Sequence, residues 1–169
     1  MRGHALISNE AVQHFQSFLN SAEPTPYPGK QSLNQFVHKS LSPEQIENMG
    51  KEVTREEIKE AFRSIQPNKA PGPDGYDGYF FQKTWHILGE DLTTTIKYFF
   101  ETRRLLREVN ATAITLIPKV ANPSSITDYR PISCCTTIYK CISKVIASRL
   151  KTVFPTIIDR AQSAFIKDR

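Results

Sequence analysis

Residues 112–133 read T-A-I-T-L-I-P-K-V-A-N-P-S-S-I-T-D-Y-R-P-I-S, and this stretch decides the class of fold. Residues 112–117 are apolar and rich in β-branched side chains, the composition of a short strand. Pro118 stops it, because proline has no N–H to give a ladder. Residues 119–128 read as a loop, and 129–133 as the candidate return strand of a hairpin with a long connection. The rest of the patterned sequence has helical period, so the expected class is α+β, with a helical N-terminal region ahead of the hairpin.

Further upstream, residues 67–78 read P-N-K-A-P-G-P-D-G-Y-D-G. Three prolines and three glycines in that span exclude a helix or a central strand and fix an irregular path. Before it, Thr54-Arg55-Glu56-Glu57 forms a capping box, opening a helix with Ile58, Ala61, Phe62 and Ile65 on one face. Ser42, Pro43 and Gln45 supply a second helix start, with a cap, a proline at the first position and a capping partner. Ser8 or Asn9 is the expected cap of a first helix carrying Val12, Phe15, Phe18 and Leu19, and residues 23–29 (E-P-T-P-Y-P-G) read as an exposed loop. Between loop and hairpin, residues 79–88 and 91–106 read as aromatic-rich helices containing Trp85, Phe99 and Phe100. After the hairpin, a helix is expected from Thr136 to about Thr152. Its apolar face is Ile138, Cys141, Ile142, Val145, Ile146 and Leu150, and its polar side holds Lys140, Lys144, Arg149 and Lys151. Residues 157–169 have no clear period.

The 169 residues suffice for one ordinary domain, and their composition is that of a folding chain rather than a disordered one. The formal charge of +5 is uneven: residues 115–169 hold nine Lys or Arg against three acids, a net +6, leaving −1 for the remainder. Such a basic half suits a phosphate backbone or a triphosphate, or it is a solvated surface. Cys134, Cys135 and Cys141 make no disulfide framework and no zinc spacing. Reduced thiols fit a nuclear or cytoplasmic, intracellular protein. No apolar run has the length of a membrane span, so no membrane partner is expected.

Three ordered segments carry a family likeness. They are Asn68-Lys69-Ala70-Pro71-Gly72-Pro73-Asp74-Gly75; Thr115-Leu116-Ile117-Pro118-Lys119 with Asp128-Tyr129-Arg130-Pro131-Ile132-Ser133; and Ile138-Tyr139-Lys140 with Arg149-Leu150 and Gln162-Ser163-Ala164-Phe165. Together they resemble the start of the reverse transcriptase domain of LINE-type (non-LTR) retrotransposons, especially the plant kind. The likeness runs from about Glu10 to Arg169 and is weak before Thr54. It implies a helical extension over residues 1–53 and, over 54–169, a partial reverse transcriptase fingers subdomain truncated before the palm.

The resemblance also implies roles. Cations at the matching finger positions reach the incoming triphosphate, which nominates Lys119 and Arg130; without the likeness, Arg130 reads as an ion-pair partner of Asp128 or a strand-edge charge. Lys69 in the loop, with Lys140, Lys144 and Lys151 at helical spacing, are candidates for the phosphate backbone of an RNA template or RNA/DNA duplex. The alternative for the helix lysines is a solvated face, and for the loop glycines plain conformational freedom.

Nucleotidyl transfer needs carboxylates holding two metal ions, supplied in this family by the palm. The sequence contains no Asp-Asp, and its acidic pairs, Glu56-Glu57 and Glu90-Asp91, fall in helical patterns. No catalytic residue and no metal ligand is therefore nominated. Magnesium is expected only for the full-length enzyme, and deoxynucleotide binding only where a palm is supplied. The expected chain is a reverse transcriptase fragment inactive alone. Residues 85–100 and the apolar face after Thr136 should then be left partly uncovered, making the product marginally stable. Alternatives are a residual nucleic-acid-binding module, a non-functional remnant of a decayed element, or an unrelated helical interaction protein.

Overall fold

The computed structural model describes residues 2–21, 39–158 and Gln162. Among the described residues the helices are α1 (Arg2–Asn20), α2 (Pro43–Gly50), α3 (Arg55–Ser64), α4 (Gly78–Lys83), α5 (Trp85–Thr102) and α6 (Thr137–Ile157). Strands β1 (Thr112–Pro118) and β2 (Tyr129–Cys135) pair as one two-stranded antiparallel sheet, so the mixed class expected from residues 112–133 holds. The 23–29 loop and most of the 157–169 segment, including the 163–165 part of the third family motif, lie outside the described residues.

The chain divides into two compact units. One holds residues 39–114 and 133–169, with the core inside it. Its cluster is Ile58, Ala61, Phe62 and Ile65 from α3 and its end, Phe81 from α4, Leu92 and Ile96 from α5, and Cys141, Ile142 and Val145 from α6. Phe62 is the hub: its ring lies 5.4 Å from that of Phe81 and 5.7 Å from that of Trp85. Both expected capping boxes form, with Ser42 paired to Gln45 and Thr54 to Glu57. Gln82 reaches back from α4 and donates its amide to the carbonyls of Phe62 and Ile65, satisfying acceptors that the end of α3 leaves open.

Several expectations change in detail. The aromatic helices break at Thr84 rather than at residues 89–90, and α5 ends at Thr102 rather than at 106. Gly89 lies inside α5 with the Trp85 indole packed over it, where a Cβ would stand 3.0 Å from the ring. Asp77, read as loop, caps α4 through the Phe80 N–H. The last helix continues through Pro155 to Ile157, five residues beyond the expected end. Its apolar face is largely covered by α3, with Cys141, Ile142 and Val145 buried and Ile146 exposed.

The second unit holds residues 1–38 and 115–132. Here α1 begins at Arg2, ahead of Ser8 and Asn9. Its early residues Leu6, Ile7, Glu10 and Ala11 line a cleft with Pro123, Ser124, Ser125, Ile126 and Tyr129. Of the four expected face residues only Phe15 is buried, while Val12, Phe18 and Leu19 are exposed.

Candidate nucleic-acid interface

The loop of residues 67–78 is fastened to the start of α6 at three points. Lys140 donates from Nζ to the Ala70 carbonyl (2.7 Å), and Thr137 from Oγ1 to the Tyr76 carbonyl (2.8 Å). Between them Gly72 lies flat on the chain at Thr136, where a Cβ would fall 2.5 Å from the Thr136 nitrogen. Only glycine permits that approach. Gly75, at φ 76°, makes the turn that follows. Thr136 itself caps α6 through the Tyr139 N–H and donates to the Val109 carbonyl, so the end of the hairpin, the loop and the helix meet at one buried residue.

This fastening opens a groove of about 740 Å³ within the core-bearing unit. One wall is the end of α3 and the loop (Ile65, Gln66, Lys69, Ala70); the other is α6 (Tyr139, Lys140, Ser143, Lys144), with Cys134 and Cys135 at its end. Three of the nominated cations, Lys69, Lys140 and Lys144, are thus brought together. Lys151 is exposed on α6 but does not line the groove. No carboxylate appears among the groove's described residues, although Lys140 commits one donor to Ala70.

A second cleft, of about 330 Å³, provides the contrast. It too carries cations, Lys51, Lys97 and Arg149, but Glu52 and Glu101 line it with them. Lys97 pairs with Glu52 at 2.6 Å. Arg149, expected on the polar side of α6, turns instead into the protein and grips the link between α2 and α3. Its guanidinium donates to the carbonyls of Met49, Lys51 and Glu52 and to both carboxylate oxygens of Glu57. The Arg149 hydrogen bond holds the Glu57 carboxyl below its ordinary value. The sequence signal that was missed is the Glu57 of the capping box, one carboxylate serving both the cap and the arginine.

The nominated triphosphate residues lie in the other unit. Lys119 donates from Nζ to the Thr127 carbonyl (2.7 Å) and from its backbone N–H to the Asp128 carbonyl, which closes the inter-strand loop. Arg130 is exposed on β2 and makes no ion pair among the described residues. Asp128 is occupied elsewhere: its carboxylate accepts from the N–H groups of Ser124 and Ser125, and these bonds hold its pKa below the ordinary value. The Asp128–Arg130 pair is therefore absent, because Asp128 caps a short 3-10 turn at Ile126–Asp128.

Comparison with known proteins bears on this arrangement. The chain is 32% identical, over 129 residues, to the transposon TX1 uncharacterized 149 kDa protein of Xenopus laevis. The likeness is to a transposon protein. It covers 76% of the chain, and the chain spans about a tenth of that relative's length. No family model matches the chain. Among the described residues no group of three or more His, Cys, Asp or Glu comes together to hold a metal. No described helix is long and apolar enough to cross a membrane.

Proposed function

We propose that the chain is part of the RNA-directed DNA polymerase of a non-LTR retrotransposon, with residues 54–169 in its fingers subdomain, and that the Lys69–Lys140–Lys144 groove holds the phosphate backbone of the template. Three things support this reading: the transposon relative, the ordered motifs, and above all the uncompensated charge of the groove. Clustered lysines without a carboxylate repel one another, and a polyanion relieves that repulsion while releasing its counterions. The second cleft shows that this protein pairs its cations where they serve structure. Lys119 and Arg130 are assigned to the triphosphate of an incoming nucleotide in the assembled polymerase. The role proposed for this part of the polymerase is binding, and transfer is assigned to carboxylates of the assembled enzyme's palm.

The test is binding of a single-stranded RNA across a salt series, followed by fluorescence anisotropy. Each phosphate neutralised contributes roughly 0.7 to the slope of log K against log salt on a single strand. Replacing both Lys69 and Lys144 with alanine should lower the slope by about 1.4 on that basis. Salt-insensitive binding, or an unchanged slope in the double variant, overturns the assignment.

A further inference from the structure

From the groove geometry we infer that Tyr139 is a stacking platform for an unpaired base of the strand whose phosphates the lysines hold. This rests on the backbone-binding reading above and adds to it a contact to the base itself.

Tyr139 lies in the first turn of α6, one residue from Lys140 and five from Lys144, and lines the same groove as Lys69. It is 37% exposed on a helix whose opposite face is locked in the core. The groove-side residues at helical spacing after it are Ser143 and Ala147, both small, so α6 does not cover the ring's flank. The other aromatics near the loop are engaged. Tyr76 is 4.5 Å from the Phe80 ring, and Tyr79 carries the Lys83 ammonium 5.4 Å from its centroid. The Tyr139 ring has no aromatic or cationic partner among the described residues.

A half-exposed tyrosine lining a groove whose lysines meet no carboxylate among the described residues has the chemistry of a single-stranded nucleic acid site, with phosphates on the lysines and a base on the ring. A duplex keeps its bases stacked on one another, so the ring selects unpaired strands. The anchorage of Lys140 to Ala70 keeps the loop wall and the ring in register.

The experiment uses the full chain and two probes of equal charge, a short single-stranded oligoadenylate and the same backbone made abasic. Wild type should bind the base-bearing strand roughly 5- to 100-fold more tightly. Tyr139→Ala should bring the oligoadenylate to the abasic level without changing the salt slope, and Tyr139→Phe should retain the preference. Tyr139→Leu, which keeps apolar bulk on α6, should also lose it. That variant guards against misfolding in the alanine form, which circular dichroism checks. Equal binding of the two probes by wild type overturns the proposal, as does full preference in both Tyr139→Ala and Tyr139→Leu. A normal salt slope in those cases leaves the lysine groove standing. Loss of salt-dependent binding in wild type removes both.

Discussion

Truncating Arg149 to alanine should detach the α2–α3 link from α6 and destabilise the core-bearing unit by about 2–4 kcal/mol. The guanidinium makes five hydrogen bonds: 3.0 and 2.9 Å to the two Glu57 oxygens, 3.0 Å to Met49, 2.5 Å to Lys51 and 3.2 Å to Glu52. Hydrogen bonds to a charged group contribute roughly 1.5–3 kcal/mol each when well buried, so a simple sum would exceed the whole stability of an ordinary domain. Two facts reduce it. Lys51 and Glu52 are exposed, so their carbonyls regain water once the arginine is gone. The Glu57 side chain is 37% exposed against 15% for Arg149, so the ion pair itself is screened. What remains is the cost of freeing the link that seats Val53, 2% exposed, in the core. Urea unfolding followed by Trp85 fluorescence reads this directly, since the indole packs on Phe62. Arg149→Lys should recover little, because an ammonium cannot span three carbonyls and a carboxylate at once. A loss below about 0.5 kcal/mol in Arg149→Ala, within the range of ordinary surface changes, would refute the clamp.

The same contact sets a pH dependence. Glu57 is held below its ordinary 4.5, so its contribution is complete above about that pH and is lost as pH falls through the lowered value. The urea midpoint of wild type should therefore drop in acid more steeply than that of Arg149→Met, and parallel acid profiles would count against the pairing. Burial pushes the Cys141 thiol up to about 12, whereas Cys134 and Cys135 are half-buried at the groove. Titration with a thiol reagent should modify the latter pair first, with Cys141 reacting only at the rate of unfolding; early loss of all three would contradict this. Gly72→Ala should cost at least 2 kcal/mol through collision with the Thr136 backbone, whereas Gly50→Ala, with open space around it, should be near neutral or slightly stabilising. Thermal melts of the two variants check the contrast, and similar melting temperatures would mean that the loop does not lie tightly on α6.

Local rules carried the sequence reading where the chain obeys them within one turn. Ser42 and Thr54 cap where their boxes place them, and Ile58, Ala61 and Phe62 turn inward together. Pro118 closes β1 as its last residue, consistent with a missing donor. What escaped was set by partners distant in sequence. The Trp85 indole lies over Gly89, and the early residues of α1 share a cleft with the loop at residues 123–129, neither of which the local pattern marks. Lys69, Lys140 and Lys144 could be named one by one, but their meeting in a groove depends on Gly72 reaching Thr136. Arg149 counted as one more basic residue on a polar face, since nothing within α6 marks it as the partner of Glu57, 92 residues earlier.

That misreading of Arg149 separates two uses of positive charge on one helix. Arg149 is drawn inward by three carbonyls and a carboxylate, and this satisfaction leaves it no capacity for a ligand. Among the described residues Lys144, five residues earlier, has neither, and Lys140 has a single carbonyl. Net charge along the sequence cannot distinguish these cases, because all three add equally to the basic half of the chain. Neutralisation in space can: a cation whose partners are internal holds the fold, and one whose partners are missing is available to a polyanion. On α6 Lys144 is open in the groove beside Tyr139, Arg149 fixes the helix to the α2–α3 link, and Lys151 beyond it is exposed. The groove can thus exchange a flexible strand without disturbing the contacts that hold its walls.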